Sequence, residues 1–203
     1  MSSSTSGRPV YDRIAARYDR AIRPFERRFL SRWRAEALAH LPAGAKLLEL
    51  GAGTGLNFPH YPIGAHGVAT ELSCRMLEIA REKPRPAQVD LVQCRGECLP
   101  FADRSFDAAC AALVFCSVRS PATVFAELRR VVKPGGTIIL LEHVRPQGVM
   151  GLVFDVVSWF TVRLFEDHFN RRTAEEAERS GLKVEYEARK AAGIVKIMVC
   201  RVS

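Results

Sequence analysis

The sequence predicts a single α/β domain in which seven mostly parallel strands form one sheet covered by helices on both faces. Beyond residue 44, short apolar runs alternate with stretches of helical periodicity, which is typical of a parallel sheet. Of the 203 residues, 48% are hydrophobic and 26% are charged, which is enough apolar material for a core and excludes a disordered chain. Since no internal repeat or long linker is visible, one domain is expected.

The amino-terminal part, residues 10–41, is predicted to form a helical cap after a flexible lead of residues 1–9. Tyr11 and Tyr18 are seven residues apart and therefore lie near one face of the first helix. Pro24 suits the first turn of a second helix. Aromatic side chains recur at every fourth position of that second helix, namely Phe25, Phe29 and Trp33.

Residues 42–145 are predicted to hold the first five strands, in the order expected for a cofactor-binding core. The strands are 46–50, 66–71, 89–93, 107–115 and 137–141. One helix opens at Ser73, and Ser120 caps another that begins at Pro121 and runs to Val132. The sequence Lys133-Pro134-Gly135-Gly136 is a stop-and-turn signal before the fifth strand.

Residues 146–203 are predicted to add the acceptor side of the domain. An apolar helix is expected at 149–165, a polar helix at 173–180 and closing strands at 183–186 and 194–200. The run 149–165 contains Asp155 and Arg163 and is too short and too charged for a membrane span.

The formal net charge of +8 is concentrated near the amino terminus. This excess predicts an anionic partner, either a nucleic acid or an acidic membrane surface, and the alternative is a solvated helix face. Nine arginines lie within residues 8–34: Arg8, Arg13, Arg17, Arg20, Arg23, Arg27, Arg28, Arg32 and Arg34.

The six cysteines show neither a CxxC pair nor a spacing typical of metal ligands. Several lie in apolar stretches, where cysteine behaves as a small hydrophobe. With no signal peptide visible, the sequence predicts a reducing, cytoplasmic compartment and no metal site.

A glycine-rich segment, Glu49-Leu50-Gly51-Ala52-Gly53-Thr54-Gly55, follows the first strand directly. Glycines permit a tight turn there and a close approach of the backbone to a ligand. The spacing G-x-G-x-G differs from that of dinucleotide binders, and no P-loop Lys-Ser/Thr pair follows. Glu71 ends the second strand 20 residues after Gly51 (71 − 51), where doubly wound folds place a carboxylate on ribose hydroxyls. A nucleoside-containing cofactor is therefore expected, and the alternative is an ordinary turn with a solvated glutamate.

Over residues 10–145 the chain resembles the class I S-adenosylmethionine-dependent methyltransferases. Glu49 to Gly55 matches their first motif, and Glu71 matches their ribose-binding acid. The segment 96–107 is similar to the stretch between their adenine pocket and fourth strand, and 128–136 to the helix and turn before the fifth. The resemblance implies a Rossmann-like fold with an antiparallel carboxyl-terminal strand and S-adenosylmethionine as cofactor.

The resemblance also implies which residues bind the cofactor: Glu49, Gly51, Gly53, Gly55, Asn57, Glu71, Leu72, Met76, Gly96, Glu97, Cys98 and Leu113. The chain departs from the family at Arg95, where an acidic residue often binds the adenine amino group. We therefore expect backbone groups near Gly96 and Glu97 to hold the adenine between apolar walls such as Leu72 and Cys98.

The chain lacks the Asp/Asn-Pro-Pro-aromatic motif of base-amine methyltransferases after the fourth strand, so a nucleic-acid partner is not expected. Segments 11–19, 113–118 and 141–144 together are most similar to small bacterial phosphatidylethanolamine N-methyltransferases. The first and last also resemble quinone-ring C-methyltransferases, and the middle one membrane-associated thiol methyltransferases.

The sequence therefore predicts successive N-methylation of phosphatidylethanolamine towards phosphatidylcholine by a monomer on the inner face of the membrane. Glu142 and His143 are expected to accept the ammonium proton or hold the amine, and Tyr18 to orient the nitrogen. The residues expected to meet the phospholipid substrate and an anionic membrane surface are Tyr11, Arg27, Arg28, Phe29 and Trp33. Two alternatives stay open: methylation of a quinone precursor or a small apolar thiol, and a non-catalytic S-adenosylmethionine-binding protein that docks on membrane or nucleic acid.

Overall fold

A computed structural model describes residues 8–143 and 173–203 of the chain. The helix predicted at 149–165 lies outside the described residues. The helices are α1 (Arg8–Phe25), α2 (Ser31–Leu38), α3 (Cys74–Arg81), α4 (Pro121–Val131) and α5 (Thr173–Arg179). The strands are β1 (Lys46–Leu50), β2 (His66–Glu71), β3 (Val89–Gln93), β4 (Phe106–Ala112), β5 (Val132–His143), β6 (Lys183–Lys190) and β7 (Val195–Arg201).

The seven strands form one sheet in the order β3-β2-β1-β4-β5-β7-β6. Strands β1 to β5 pair in parallel, and β7 is antiparallel to both β5 and β6. This confirms the predicted fold class, including the antiparallel carboxyl-terminal strand. Because the order reverses between β1 and β4, a crevice is expected at the carboxyl ends of these two strands.

The predicted starts of β4 and β5 are corrected by one irregularity in their pairing, and β4 ends at Ala112, three residues earlier than predicted. Phe106 pairs with Val132, and the next pair is Ala108 with Thr137, so the Lys133-Pro134-Gly135-Gly136 turn is accommodated opposite Asp107. Gly135 has a φ of +74°, and Lys133 Nζ lies 2.5 Å from Asp107 Oδ1. The turn signal therefore bends the strand as a bulge and does not precede it.

The predicted break at Pro24 is also corrected. Residues 8–38 form one uninterrupted helical run, in which Pro24 belongs to α1 and the π-helical turn Glu26–Leu30 follows it. Proline has no backbone N–H, so it removes one helical hydrogen bond, and a π turn changes the face that later side chains present. Leu30, which ends this turn, is buried, as are Trp33 and Ala37 in α2.

The core has two main layers, one on each face of the sheet. Leu48 and Leu50 pack on one face with α4 and α5, whereas Leu47 packs on the other face with α2. This division follows from the alternation of side chains along a strand. On the second face Trp33 lies in the core with Ile139.

The closest backbone approach between β1 and β2 requires glycine at residue 67. Gly67 has a φ of +130°, and a Cβ there would overlap the carbonyl oxygen of Leu47.

Gly67→Ala is therefore expected to lower the free energy of unfolding by about 3 kcal/mol, measured by urea denaturation. Gly44→Ala is the matched control, because its φ is +68° but a Cβ would meet nothing within 4 Å, and its expected cost is about 1 kcal/mol. Equal losses in the two variants would contradict the steric explanation.

Candidate active site

A pocket lies at the carboxyl ends of β1, β2 and β4, where the strand order reverses. It is closed on one side by α1, through Tyr11 and Tyr18. Among the described residues the rest of the lining comes from 50–54, 56–57, 70–73, Met76, 94–97, 112–114, 117–119 and Arg34.

The turn after β1 gives the pocket a floor made of backbone. Gly51 has a φ of +68°, and a Cβ there would lie 2.5 Å from Val114 Cγ2. Gly53 has a φ of +56°, and a Cβ there would project into open space. Gly51 is therefore required by close packing. Gly53 adopts a backbone conformation that favours glycine, and the absence of a side chain there leaves space in the pocket.

Glu71 is fixed at the pocket edge by backbone donors. Its Oε2 accepts from the N–H of Gly53 at 2.9 Å, and its Oε1 accepts from the N–H of Ser73 at 2.8 Å. Burial raises the pKa of Glu71, and these backbone hydrogen bonds oppose that rise. Since each carboxylate oxygen can accept more than one hydrogen bond, the group can also receive the hydroxyls of a ribose.

Most of the residues predicted to bind the cofactor after β2 and β3 lie in the pocket lining. Leu72, Met76, Gly96 and Glu97 all line the pocket. Cys98, which was predicted to form an apolar wall for the adenine, is exposed and lies outside the lining. Cys94 lines the pocket in its place. Burial raises the pKa of Cys94 to about 11, so its thiol is uncharged at neutral pH.

Glu49 and Gly55 lie behind the pocket wall, which corrects their predicted contact with the cofactor. Glu49 is 0% exposed and accepts hydrogen bonds from Asn57 Nδ2 at 2.5 Å and from the Tyr61 hydroxyl. A Cβ on Gly55 would collide with the Phe58 ring, so this glycine serves the turn itself. Burial raises the pKa of Glu49, and its hydrogen bonds oppose the rise.

Arg34 is a site residue that sequence reasoning counted only as part of the charged arm. It is 4% exposed, lines the pocket and donates to Asn57 Oδ1 at 2.9 Å. Its Nε lies 3.1 Å from Glu26 Oε1. Asn57, a predicted cofactor residue, therefore links Arg34 to the buried Glu49 and also lines the pocket.

Two aspartates of α1 hold this helix over the pocket. Asp12 Oδ1 accepts from Ser73 Oγ at 2.5 Å. Asp19 accepts from Thr54 Oγ1 at 2.6 Å and from Lys83 Nζ at 2.6 Å. Each aspartate follows a pocket tyrosine, so the repeated Tyr-Asp pair places an aromatic ring in the pocket and a tether beside it.

Leu113 has the left-handed conformation that non-glycine residues seldom adopt, with a φ of +60°. It directly follows β4 and lines the pocket. Glu142 lies behind this turn: its Oε1 is 2.9 Å from the N–H of Val114 and 3.3 Å from that of Phe115. Glu142 is 1% exposed and outside the pocket lining, so its predicted catalytic role is corrected to positioning the strained turn.

His143 ends β5 and pairs with Val195 of β7. Burial lowers its pKa to about 4, so the imidazole is neutral at physiological pH. It does not belong to the pocket lining, whereas Tyr18 does. Tyr18 is thus the predicted catalytic candidate that the fold brings to the pocket.

The predicted membrane residues separate into three groups. Arg27, Arg28 and Phe29 are exposed, whereas Trp33 is 9% exposed and packs in the core. Trp33 is therefore corrected from a membrane contact to a support beneath the Phe29 ring, 5.7 Å away between centroids. Tyr11 faces the pocket.

None of the helices in the described part of the chain is long and apolar enough to cross a bilayer. No three His, Cys, Asp or Glu side chains in residues 8–143 and 173–203 are grouped to hold a metal ion.

Sequence comparison identifies relatives of the chain. The profile of the methyltransferase domain family matches residues 48–140. Thiol S-methyltransferase TMT1B of Rattus norvegicus is 36% identical over 142 residues, which cover 66% of this chain and 58% of that protein. The ubiquinone/menaquinone biosynthesis C-methyltransferase UbiE of Syntrophotalea carbinolica is 37% identical over 146 residues, covering 68% and 62%. The chain thus matches about three-fifths of the length of these relatives.

Structural comparison finds the same fold along nearly the whole chain. A chain from the complex of the Haloferax volcanii Trm112 methyltransferase activator with a methyltransferase gives a TM-score of 0.75 at 20% identity, covering 95% of this chain and 97% of that one. A SAM-dependent methyltransferase from Thermotoga maritima gives 0.73 at 21% identity, covering 97% and 99%. At these identities the likeness concerns the fold alone.

Replacement of the ribose-side acid tests the cofactor site. Glu71→Ala removes the acceptor for ribose hydroxyls and the anchor of the Gly53 N–H, so the affinity for S-adenosylhomocysteine is expected to fall about 100-fold. Isothermal titration calorimetry measures the affinity. Glu78→Ala is the control, because Glu78 is solvent-exposed on α3 and pairs with Arg75. Unchanged affinity in the Glu71 variant would refute the assignment.

Replacement of Glu142 tests whether it holds the strained turn. Glu142→Gln turns one acceptor oxygen into a donor facing backbone N–H groups, so the free energy of unfolding is expected to fall by about 2 kcal/mol. Because the turn forms the pocket wall, cofactor affinity should fall as well. Leu113→Gly in the same background relieves the positive φ and is expected to recover part of both losses. A Gln variant that keeps full stability but loses methyl transfer would instead indicate direct catalysis.

Proposed function

We propose that this chain, whose methyltransferase domain and fold are similar to those of the class I S-adenosylmethionine-dependent methyltransferases, methylates an apolar acceptor at an anionic sulfur or ring carbon. The acceptor classes are a small apolar thiol and the reduced ring of a quinone precursor. The observation that carries the proposal is the composition of the pocket lining, which includes the hydroxyl of Tyr18 but neither Glu142 nor His143, the two predicted bases.

The residues of the pocket fit the cofactor. Glu71 offers a fixed carboxylate for the ribose, the Gly51–Gly53 turn leaves backbone room, and Leu72 and Met76 form apolar walls. When bound, S-adenosylmethionine supplies an electrophilic methyl group on a sulfonium. The protein then has to orient the acceptor and exclude water.

The charged side chains among the described lining residues are three arginines, Arg34, Arg95 and Arg119, and two glutamates, Glu71 and Glu97. Both glutamates are already engaged by backbone, since Glu97 accepts from the N–H of Arg119 at 2.9 Å. Arg34 is paired with Glu26, so the charges of the lining nearly balance. Methylation neutralises a thiolate, and a phenolate ring methylated at carbon is neutralised and then releases the proton of that carbon, whereas methylation of a neutral amine creates a cation.

The protonation of the acceptor supports the same choice. At pH 7.5 about one-tenth of an ordinary thiol is ionised, but only about one-thousandth of a primary ammonium is deprotonated. An amine therefore depends more strongly on a base. Glu142, the predicted base, is occupied with Val114 and Phe115. Tyr18, which lines the pocket, can donate a hydrogen bond to an anionic acceptor.

The relatives support this order of preference, because they are named for thiol S-methylation and quinone C-methylation. The N-methylation of phosphatidylethanolamine remains the second candidate. The feature that favours it is the pair of pocket tyrosines, since aromatic faces attract methylated ammonium groups.

Methyl-labelled cofactor distinguishes the candidates. The full chain is incubated separately with an apolar alkyl thiol, a reduced demethylated quinone and phosphatidylethanolamine vesicles, and the products are separated by chromatography. Label is expected in the thiol or the quinol. Tyr18→Phe should lower kcat about tenfold by loss of one hydrogen bond to the reacting anion, whereas the control Tyr186→Phe changes an exposed tyrosine on β6 and should not.

Each other outcome has a definite meaning. Label confined to the phospholipid would reject the proposal in favour of the second candidate. Cofactor binding without transfer to any of the three acceptors would indicate the non-catalytic alternative.

A further inference from the structure

Two exposed aromatic residues, Phe25 and Phe29, lie at the end of α1 and in the helical turn after it, beyond the two tyrosines that line the pocket. Tyr11, Tyr18 and Phe25 are spaced seven residues apart along this helix and therefore share one side of it. Phe25 and Phe29 are 41% and 39% exposed, and their ring centroids are 5.4 Å apart. The pair rests on Trp33, whose centroid is 6.0 Å from that of Phe25. An apolar surface thus begins where the line of pocket tyrosines ends.

The same stretch of helix carries a strong and uncompensated positive charge. Its two acids are neutralised within the fold, since Asp19 pairs with Lys83 and Glu26 pairs with Arg34. In the described part of the chain, no ion pair engages the exposed arginines of this stretch, which are Arg17, Arg20, Arg23, Arg27, Arg28 and Arg32. The guanidinium of Arg28 lies 5.1 Å from the centroid of the Phe29 ring. Cations therefore border the exposed rings.

From this juxtaposition we infer that Phe25, Phe29 and the bordering Arg27 and Arg28 form a docking surface for an anionic lipid bilayer. Aromatic rings favour the headgroup region, and adjacent arginines are attracted to acidic lipids. A bilayer fits both features at once, whereas a nucleic acid would use the arginines and leave two exposed phenylalanines unexplained. Phe25 lies seven residues beyond the pocket tyrosine Tyr18 on the same side of α1, so the docking surface is about two helical turns from the pocket wall.

Vesicle co-sedimentation of the full chain tests this inference without requiring methyl transfer. Vesicles of phosphatidylcholine alone are compared with vesicles that contain phosphatidylglycerol as well. Binding is expected only to the second kind and is expected to weaken as salt rises. R27Q/R28Q should lower the partition coefficient about 25-fold, at about fivefold for each arginine, and Phe29→Ser about tenfold.

Two control variants match these changes elsewhere on the molecule. Arg81→Gln with Arg179→Gln removes the same charge from α3 and α5, and Ile63→Ser removes a side chain that is 91% exposed. Both controls should bind the acidic vesicles like the original chain. Thermal melting verifies that each variant is folded.

Three results would overturn the inference. The first is equal binding by the docking variants and their controls, which would indicate attraction by net charge alone. The second is no vesicle binding combined with retention on duplex DNA that Phe29→Ser leaves unchanged. The third is a concentration-dependent dimer that Phe29→Ser dissociates, which would assign the surface to a second copy of the chain. None of these results depends on which acceptor is methylated, so the proposed function can stand or fail separately.

Discussion

The side chain of Glu49 lies beneath the glycine turn without access to water, and the arrangement of the pocket depends on the hydrogen bonds that its carboxyl group accepts. One oxygen of Glu49 accepts a hydrogen bond from the Asn57 amide, and the other accepts one from the Tyr61 hydroxyl. The amide oxygen of Asn57 accepts from Arg34, which also forms an ion pair with Glu26. A buried charge is tolerated only when its partners are in place. The chain of contacts therefore fixes the helical cap and the turn after β1 relative to each other, although they are separated in sequence.

The repeated Tyr-Asp pair of α1 likewise joins elements that are distant in sequence. Asp12 reaches the start of α3 and Asp19 reaches the glycine turn and Lys83, while the preceding tyrosines face the cavity. The two tethers therefore fix α1 to the start of α3 and to the glycine turn, whereas Phe25 lies beyond both of them on the same helix.

Local pattern predicted the parallel strands well, since β1, β2 and β3 have the predicted bounds and the seven-stranded sheet is confirmed. It failed where tertiary packing decides. The Lys133–Gly136 turn became a bulge because β5 continues its pairing on both sides of it. Strand position identified Glu142 as lying near the site, but the contact with the Val114 N–H decides its role. Arg34 could not be distinguished from the other arginines of the arm, because its burial depends on Glu26 and Asn57 together.

The position of β7 has a consequence for the order in which the domain can form during synthesis. Although β7 follows β6 in sequence, it lies between β5 and β6 and supplies antiparallel partners to both. Until residues 195–201 emerge from the ribosome, β5 and β6 both lack this partner strand. Open edges are templates for pairing between chains. The nascent protein is therefore expected to be most vulnerable to aggregation after β6 has emerged and before β7 is inserted.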